Sequence, residues 1–570
     1  MKILQLDVNK IEYEAVKPEA SVYEPDDKKR HVVNDALVLL VSFEKGDSSE
    51  LARKAVDDAV AFAKKQKLSR MVIYPFAHLS GNLEGLEKSK ALLEEMRSLV
   101  PKEAIELHSA PFGWNKQLSI DIKGHPLAEM SRSYSAAGQQ EQAVQEKPEP
   151  RRKVDLSIVK KADWSGLPDK DHRSIGEAMD LYSFQEVSPA MVYWHPNGHI
   201  IYRELVKLMR EKEEDYGYRE ISTPALANIA LWHVSGHIEH YKGDMFIFED
   251  KFGELGLKPM NCPSTILIYK SRKRSYKELP MRLSIFDKLY RSERSGTVTG
   301  LFRVKEMTQD DAHIFIAEDQ LQSEVTSYLK MLVETYEVFG LKYKANLSTM
   351  PDDHMGDEAL WERATSVLRE ALEERKIPYG IKEKDGAFYG PKIDFDITDS
   401  AGRLWQCGTL QLDYQLPLRF KLEYTGEDGK QHTPVILHRT VIGTIERFTG
   451  VMVEHFQGRF PAWLAPLQVK IIPISEKQLK YGEKIYRELR KARFRVELDS
   501  SDRTLEYKIR DAQMMQVPYS IIVGGKEEES STISVRSREG RQRQGMKLEQ
   551  FADALSSEIG KRDKELGITK

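Results

Sequence analysis

The stretch Tyr290–Phe315, YRSERSGTVTGLFRVKEMTQDDAHIF, decides the fold of this 570-residue chain. Two strand-like runs flank a turn that contains glycine, which predicts a long hairpin with Arg291 on one arm and Arg303 on the other. Arginines in this arrangement suit a phosphate, because a planar guanidinium can donate two parallel hydrogen bonds to its oxygens. The sequence therefore predicts a site that holds a phosphate from two sides.

Three potential metal ligands stand in this part of the chain and in a distant run that begins at His438. Cys262 lies in the run KPMNCP, His313 lies in TQDDAHIF, and His438 opens HRTVIGTIERF. A thiolate and two imidazoles suit zinc, and three protein ligands leave a fourth position open for a substrate. Each ligand alone is a weak signal, since a single cysteine is more often a small buried apolar residue.

The order of these runs resembles the threonyl-tRNA synthetase family of class II aminoacyl-tRNA synthetases. MNCP, R-x-E, G-L-F-R-V, TQDDAHIF and G-T-I-E-R-F follow one another between Met191 and the C-terminus, and the resemblance identifies a motif 2 hairpin and a motif 3. It implies an ATP-dependent ligase that charges tRNA(Thr) with threonine, with one zinc ion per subunit and Mg²⁺ accompanying ATP. It also implies a cytoplasmic homodimer. The interface would include a predicted helix with an apolar stripe at Ile201, Leu205 and Leu208 and the strand Tyr218–Ile221, a unit that resembles motif 1.

The resemblance assigns roles to individual residues of this part of the chain. The residues expected to contact ATP are Arg291, Glu293, Arg303, Gln406, Thr444 and Arg447. The residues expected to hold threonine beside the zinc ligands are Met260, Gln309, Asp311, Tyr389 and Gln411. Catalysis is assigned to Arg291, Arg303, Arg447, Lys392 and His237, the last near the terminal 2′-hydroxyl of the tRNA.

Two later runs predict the wall of a pocket. Gly386–Ile397 and Leu404–Pro417 alternate polar and apolar residues with a period of two, which is typical of antiparallel strands with one polar face. The polar positions are Tyr389, Lys392, Gln406 and Gln411. Polar side chains on adjacent long strands more often line a pocket than face a core.

The run LWHVSGHIEHYKGDMF allows a different interpretation. His233 and His237 stand four residues apart, a spacing that places two metal ligands on one face of a helix, as in a free-standing zinc hydrolase. Gly236 weakens such a helix, and the chain contains no HExxH motif. A third possibility is an RNA-binding regulator that resembles a synthetase without catalysing its reaction.

The first 134 residues alternate strands and helices, which predicts a compact α/β domain. The runs YPFAHLS and KGHPLAE and a lysine after Asn115 resemble the editing domain of archaeal threonyl-tRNA synthetases, although that family usually has tyrosine before the lysine. The resemblance implies His78, Lys116 and Glu129 as editing residues. Editing is physically necessary because serine differs from threonine by one methyl group. Its contacts contribute about 1–3 kcal/mol, which is too little to discriminate threonine from serine accurately.

Composition and the remaining segments complete the domain organisation. Residues 135–154 are rich in Gln, Glu and Ala, which predicts a linker. The resemblance implies that residues 155–466 are a class II catalytic domain with an antiparallel sheet and flanking helices. Residues 467–570 alternate strands and helices and resemble an α/β anticodon-binding domain, in which Glu527 and Arg536 are expected to contact bases.

The overall balance of the chain excludes several classes of protein. A net charge of −3 confines any nucleic-acid site to a local patch, and two cysteines cannot form a disulfide framework, which fits a reducing cytoplasm. No apolar run approaches the ~18 residues of a membrane span. Neither a P-loop nor a GxGxxG fingerprint is present, so a different fold must account for the use of a nucleotide.

Overall fold

The computed structural model describes the chain from residue 1 to 570 except for residues 27, 81, 102, 124–127, 135–161, 163, 165, 252, 294–297, 353, 400 and 401 and the side chains of residues 78, 131 and 240. The described residues form two compact units, Met1–Lys153 and Val154–Lys570. The predicted linker, residues 135–154, lies outside the described residues. Of the helices that the structure describes, none combines the length and apolar character that a membrane span requires.

The first unit is a mixed sheet with two helices, as the alternation of strands and helices predicts. Its elements are β1 (Lys2–Pro18), β2 (His31–Ser42), α1 (Ser49–Lys65), β3 (Arg70–Pro75), α2 (Leu86–Leu99), β4 (Glu106–Ser109), β5 (Trp114–Ile122) and β6 (Glu129–Ser133). The sheet has the order β4-β3-β2-β1-β5, and β6 pairs with the other half of the long strand β1. The hydroxyl of Ser48 caps α1, whose apolar stripe packs against the sheet.

The second unit begins with the catalytic part of the chain. The elements before its long central strands are α3 (His172–Ala178), β7 (Tyr182–Phe184), β8 (Val192–Trp194), α4 (Pro196–Asp215), β9 (Arg219–Ile221), β10 (Leu226–Asn228), α5 (Ala230–Val234), α6 (His237–Tyr241), β11 (Ile247–Asp250), β12 (Gly253–Leu257), α7 (Cys262–Lys270), β13 (Met281–Ile285) and β14 (Lys288–Tyr290). The elements that follow are β15 (Glu306–Ile316), α8 (Leu321–Phe339), β16 (Tyr343–Ser348), α9 (Glu358–Glu374), β17 (Tyr379–Lys382), β18 (Lys392–Thr398), β19 (Leu404–Asp413), α10 (Gln415–Arg419), β20 (Tyr424–Thr425), β21 (Gln431–His432), β22 (Val435–Thr444) and α11 (Ile445–Phe456).

A nine-stranded sheet organises this part of the molecule. Its order is β17-β16-β18-β19-β22-β15-β13-β9, and β14 pairs with β15. The central strands β15, β22, β19 and β18 are antiparallel to their neighbours. Helix α8 covers one face, where the hydroxyls of Tyr328 and Tyr336 donate to the carbonyls of Thr440 and Val441. The opposite face of the central strands is therefore available for a site.

The C-terminal part of the second unit has its own five-stranded sheet. Its elements are β23 (Val469–Pro473), α12 (Leu479–Lys491), β24 (Val496–Leu498), α13 (Leu505–Met514), β25 (Tyr519–Val523), α14 (Gly525–Ser530), β26 (Ile533–Ser537), β27 (Gln542–Met546) and α15 (Leu548–Lys561). The sheet has the order β24-β23-β25-β26-β27. Arg495 fixes it to the catalytic part by donating to the carboxylate of Glu204 at 2.8 Å and to the carbonyl of Ala465.

Three local predictions differ from the structure. The run GLFRV is a turn and not a strand, so the hairpin consists of β14 and β15 and both of its arginines lie in the connecting segment. The strand predicted over Gly386–Ile397 begins only at Lys392, because the residues before it form a turn closed between Ala387 and Gly390. His233 and His237 do not share a helix, since Gly236 between them has φ of +81°.

Candidate functional site

A cavity of about 480 Å³ lies on the face of the central sheet that α8 does not cover. It brings together the predicted zinc ligands, ATP residues and threonine residues. The predicted residues that line it are Met260, Cys262, Arg291, Glu293, Arg303, Gln309, Asp311, His313, Tyr389, Gln406, Gln411, His438, Thr444 and Arg447. His237 and Lys392 are the predicted residues of this part of the chain that are not in the lining.

Strand register explains why residues so distant in sequence meet. His313 on β15 is directly opposite His438 on β22, and His438 is directly opposite Gln411 on β19. Gln309, Asp311 and His313 alternate along β15, so they point to the same face of the sheet. One row across three strands and one face of β15 thus form the floor of the cavity.

Cys262, His313 and His438 form a compact cluster at one end of the cavity. One ligand atom from each lies within 4.8 Å of the others, and all three residues are buried. Cys262 is the first residue of α7, while the histidines come from paired strands. Such a set of one sulfur and two nitrogen donors fits a zinc ion with an open fourth position.

The hydrogen bonds of the two imidazoles agree with a metal at this place. Nε2 of His438 lies 2.8 Å from Oδ2 of Asp413, which leaves Nδ1 for a metal. Nδ1 of His313 is buried and has no hydrogen-bond partner in the part of the chain that the structure describes. A buried nitrogen without a partner is costly, and a bound cation would satisfy it.

Burial sets the protonation of two of these groups in the absence of a cation. Desolvation lowers the pKa of His313 to about 4, so the imidazole is neutral and keeps a lone pair for a ligand. Desolvation, together with the carboxylates of Asp311 and Asp413, raises the pKa of Cys262 well above that of a free thiol. A dication would reverse the effect on the thiol, because the thiolate is the species that binds zinc.

Polar side chains surround the cluster. Asn261 donates to Oδ2 of Asp311 at 3.0 Å, which orients that carboxylate beside Cys262. The hydroxyl of Tyr389 donates to Oε1 of Gln411. Tyr389 reaches this position from the turn before β18 and not from a strand. It lines the cavity, but strand alternation is not the reason.

The segment between β14 and β15 supplies two of the arginines. Nε of Arg291 donates to the carbonyl of Pro259 at 3.2 Å, and its guanidinium lies 5.9 Å from the centre of the Tyr241 ring. Arg303 forms an ion pair with Glu293 at 2.7 Å. The amide of Arg291 donates to the carbonyl of Lys305, so the two arms meet at their base even though GLFRV is not a strand.

Arg447 enters the cavity from the first turn of α11. The hydroxyl of Thr444 caps this helix by accepting from the amide of Arg447. The guanidinium donates to the carbonyls of Phe302 and Gln406, each at 2.9 Å. Desolvation, with a smaller contribution from Arg291 and Arg303, lowers the pKa of Arg447, which remains a cation. Arg439 also lines the cavity, and the guanidinium groups of Arg291, Arg303 and Arg447 together suit a polyanion such as a triphosphate.

His237 and Lys392 lie just behind the lining. His237 is fully buried, with Nδ1 2.8 Å from the hydroxyl of Ser235 and Nε2 3.2 Å from the sulfur of Met260. Lys392 stands opposite Gln411 in the sheet, and its amine forms an ion pair with Asp394 at 2.9 Å. Each therefore lies next to a lining residue, His237 beside Met260 and Lys392 beside Gln411, without lining the cavity itself.

Sequence reasoning missed several residues of the lining. These are Tyr241, Asp244, Phe302, Val304, Met307, Cys407, Thr409, Arg439, Thr440 and Gly443. The alternation that placed His438 on the floor also predicts Thr440, two positions further along β22. No comparable signal exists for Tyr241 or Asp244, which reach the cavity from a short helix and the turn that follows it.

A second cavity, of about 360 Å³, lies in the first unit, and Lys116 is part of its lining. The amine of Lys116 donates to the carbonyls of Pro111 and Trp114, each at 3.0 Å, and lies 4.8 Å from the centre of the Tyr74 ring. Desolvation lowers the pKa of Lys116 to about 8. An amine with such a pKa in a half-enclosed cavity is typical of a functional site.

The other predicted editing residues are placed differently. Glu129 is exposed on β6 opposite Leu6, whereas Lys116 is opposite Ala15, so roughly 30 Å of strand β1 separates their positions. Glu129 therefore does not join Lys116. The backbone of His78 follows β3 near the cavity, where Ala77 is a lining residue, but its side chain lies outside the described residues.

The two predicted anticodon residues lie on different elements of the C-terminal part, Glu527 in α14 and Arg536 on β26. Glu527 accepts from the amide of Gly524 at 2.9 Å and stabilises the first turn of α14. Arg536 lies on β26 opposite Ser520, and its Nε is buried with no hydrogen-bond partner among the described residues. Arg538, in contrast, donates to the carbonyls of Phe460 and Gln516 and has a structural contact.

Three family models match the chain in the order that the motifs predict. The archaea-specific editing domain of threonyl-tRNA synthetase matches residues 1–134. The class II tRNA synthetase core domain (G, H, P, S and T) matches residues 246–456, and the anticodon binding domain matches residues 468–558. The predicted fold class, with an editing domain, a class II antiparallel sheet and an α/β anticodon-binding domain, is confirmed.

Known relatives agree with these matches. The chain is 49% identical over 369 residues to a threonine–tRNA ligase of Carboxydothermus hydrogenoformans, a match that covers 65% of this chain and spans 58% of that protein's length. It is 48% identical over 397 residues to a threonine–tRNA ligase catalytic subunit of Sulfurisphaera tokodaii, covering 69% of this chain and 74% of that protein.

A solved structure extends the agreement to three dimensions. The crystal structure described as the RNA binding domain of threonyl-tRNA synthetase from Cryptosporidium parvum is 40% identical and superposes with a TM-score of 0.67, covering 68% of this chain and 98% of that one. The resemblance that the motifs indicate is thereby confirmed. From its motifs, its cavity and these relatives, the chain belongs to the threonyl-tRNA synthetase family.

Proposed function

We propose that this protein is a threonine–tRNA ligase that also edits mischarged tRNA. A carboxylate oxygen of threonine attacks the α-phosphorus of ATP, and pyrophosphate leaves. Mg²⁺ bound with ATP would neutralise part of the phosphate charge. The terminal ribose hydroxyl of tRNA(Thr) then attacks the carbonyl carbon of the adenylate, and AMP leaves. The observation that carries this proposal is the convergence of three metal-type ligands with Arg291, Arg303 and Arg447 in one cavity of about 480 Å³.

The amino acid would occupy the end of the cavity at Cys262, His313 and His438. These residues would hold a zinc ion, which when bound supplies a Lewis acid for the amine and the side-chain hydroxyl of threonine. Asp311 is already oriented by Asn261 and would accept from the amine. The pair of Tyr389 and Gln411 would fix the remaining polar atoms of the substrate.

The triphosphate would occupy the end with the arginines. Arg291 is assigned to the α-phosphate, and Arg303 and Arg447 to the outer phosphates. Each arginine is held by a carbonyl or carboxylate on the protein, so little reorganisation is needed when charge develops. The apolar part of the lining, Phe302, Val304 and Met307, would face the adenine, with Glu293 close by.

The roles assigned to Lys392 and His237 each require a movement when the substrates bind. The amine of Lys392 must exchange the carboxylate of Asp394 for the α-phosphate, a movement that its position beside Gln411 allows. His237 would act on the tRNA terminus from behind Met260, so the tRNA end or Met260 must shift. Catalytic hydrogen bonds often become short and well aligned only when the substrates are bound.

The remaining parts of the chain would handle the tRNA. We assign residues 1–134 to editing, 135–154 to a linker, 155–466 to catalysis and 467–570 to anticodon binding. In the first unit, Lys116 and nearby backbone carbonyls and amides would position a water that hydrolyses Ser-tRNA(Thr). The enzyme would act as a cytoplasmic homodimer, as its family implies.

Exchange of pyrophosphate into ATP, measured with threonine, serine and valine, tests the activation step. We expect strong exchange with threonine, weaker exchange with serine and none with valine, whose methyl cannot ligate a metal where the hydroxyl does. A catalytically inactive RNA-binding regulator would show no exchange with any of the three. A zinc hydrolase built on His233 and His237 would also show none, and the break at Gly236 already separates that pair.

Deacylation of pre-formed Ser-tRNA(Thr) and Thr-tRNA(Thr) tests the editing assignment. Lys116→Ala in the full chain should hydrolyse Ser-tRNA(Thr) far more slowly than the wild type while its threonine exchange is unchanged. Lys10→Ala provides the matched control, because this half-exposed lysine of the same sheet pairs with Glu12 outside the cavity. Equal hydrolysis by all three proteins would show that the cavity at Lys116 is not the editing site.

A further inference from the structure

His172 joins two parts of the ATP end of the cavity without lining the cavity itself. Its ring is fully buried, and its Nε2 accepts a hydrogen bond from the amide of Leu301 at 3.1 Å. Its Nδ1 lies 2.8 Å from Oε1 of Glu454. An amide can only donate, so Nε2 carries no proton and Nδ1–H donates to the carboxylate.

The first partner belongs to the turn that replaces the predicted strand. Gly300 has φ of +49°, and a Cβ atom placed there would lie 2.3 Å from Nε2 of His172. The ring of Phe302 also packs on the imidazole, with centres 4.1 Å apart. The turn therefore rests directly on His172, and only glycine allows this close approach.

The second partner belongs to the helix that carries Arg447. Glu454 lies seven residues after Arg447 on α11, so the two side chains leave the same face of the helix, two turns apart. The carbonyl of Phe302, next to the anchored Leu301, accepts from Nε of Arg447. Hydrogen bonds thus connect the imidazole to the turn, the turn to Arg447, and Glu454 on the same helix back to the imidazole.

We propose that His172 is a positioning residue for ATP binding, which rests on the proposed function. Its two nitrogens fix the turn of residues 300–302 relative to α11. The turn leads directly into Arg303 and provides the carbonyl that orients Arg447, so one imidazole sets the positions of two phosphate-binding guanidiniums. An apolar residue of similar volume would fill the space without defining either position.

A metal does not explain this cluster as well. Asp171, His172 and Glu454 present ligand atoms within 4.8 Å of one another. Each already has a protein partner, however: Arg173 pairs with Asp171, Arg403 pairs with Glu454, and the two ring nitrogens of His172 are engaged as described. Binding a cation would require the loss of several of these bonds.

Two substitutions separate the functions of the two nitrogens. In His172→Asn the amide nitrogen can still donate to Glu454, but the side chain is too short to accept from Leu301. In His172→Gln the side-chain oxygen reaches the place of Nε2 and can accept from Leu301. We expect kcat/KM for ATP to fall about 10- to 100-fold in His172→Asn, mainly through KM, and to recover at least in part in His172→Gln. The KM for threonine should change by less than about twofold, because the zinc ligands are not touched.

Tyr182→Phe controls for a purely structural role. The hydroxyl of Tyr182 donates to the carbonyl of His172 at 2.8 Å, so its removal destabilises the same region and leaves both ring nitrogens in place. This variant should have a lower Tm and an unchanged KM for ATP. Gly300→Ala displaces the turn from the other side and should reproduce the effect of His172→Asn, and the double variant should be less than additive.

ATP binding measured by titration calorimetry keeps this inference separate from the proposed function. If the wild type binds ATP but shows no exchange with threonine, the proposed function fails, while weaker ATP binding by His172→Asn still supports the positioning role. Wild-type ATP affinity in a folded His172→Asn or Gly300→Ala protein would overturn it. Equal losses in the KM values for ATP and threonine would also overturn it, since they would indicate general damage to the fold.

Discussion

Replacement of Arg291 by alanine should separate catalysis from stability more cleanly than any other change in the cavity. The contacts that the structure gives its guanidinium are one hydrogen bond of 3.2 Å to the carbonyl of Pro259 and the ring of Tyr241 at 5.9 Å. Such contacts contribute about 1–2 kcal/mol in total. Arg447 and Arg303 are less suitable, because the first donates to two carbonyls and the second neutralises Glu293.

The expected loss of catalysis is much larger. A preorganised donor that faces developing charge contributes about 10²–10³ in kcat, or about 2.7–4 kcal/mol. In Arg291→Ala, exchange of pyrophosphate with threonine should therefore fall at least 100-fold while the free energy of unfolding falls by no more than about 2 kcal/mol. Urea unfolding and exchange measured on the same preparation give both quantities.

A matched control defines the background of this experiment. Arg272 is 68% exposed and pairs with Glu278 at 2.9 Å outside the cavity. Arg272→Ala should retain exchange within about twofold, since an exposed ion pair contributes at most about 1 kcal/mol. If a folded Arg291→Ala protein keeps more than a tenth of wild-type exchange, the assignment of Arg291 to the α-phosphate is wrong.

The remaining predictions concern the metal, one buried ion pair and one lysine. Cys262→Ala should lower both the bound zinc, measured by atomic absorption, and the exchange of pyrophosphate with threonine. Cys407→Ala, which changes the other cysteine of the cavity lining, should keep the metal. Full zinc content in Cys262→Ala would contradict the ligand assignment. Arg439→Met should cost about 3–5 kcal/mol in urea unfolding, because it leaves the carboxylate of Glu213 buried without its 2.7 Å partner, and adding Glu213→Gln should restore part of the loss; a cost below about 1 kcal/mol would refute this reasoning. Burial lowers the pKa of Lys116 to about 8, whereas a lysine in the unfolded chain has a pKa of about 10.4. Between these pH values the unfolded chain binds more protons, so the wild type should gain stability relative to Lys116→Met as the pH rises. A difference in urea midpoint that does not change with pH would argue against the lowered pKa.

Ligand chemistry and the family resemblance indicated most of the floor of the cavity, and period-two alternation explains why these residues share it. Gln309, Asp311 and His313 alternate along β15 and all line the cavity, as does His438 opposite them. Alternation fails for Gln406 and Gln411, whose odd spacing would place them on opposite faces of a regular strand. Both line the cavity because the register between β18 and β19 shifts at Cys407, where a bulge adds one residue.

Other parts of the site depend on contacts that no local pattern encodes. The run GLFRV has strand-like composition, yet it forms a turn because Gly300 adopts a positive φ against the buried ring of His172, more than a hundred positions earlier in the chain. Tyr389 reaches Gln411 from a turn that a strand assignment does not contain. Composition predicts the type of element at such places only when distant packing does not compete with it.

The pairing of β15 with β22 affects how the protein is made. Asp310 on β15 links the two strands, because its Oδ2 accepts from the amides of Val441, 131 positions later, and Ile442. A ribosome that adds about 5–20 residues per second needs roughly 7–26 s to synthesise that interval. During this time β13 can already pair with one edge of β15, while the edge that will receive β22 has no partner. Open edges with apolar side chains promote aggregation, and charged residues on an edge oppose it. We therefore expect Asp310, with the neighbouring Asp311, to protect the nascent strand until the chain that completes the sheet has emerged.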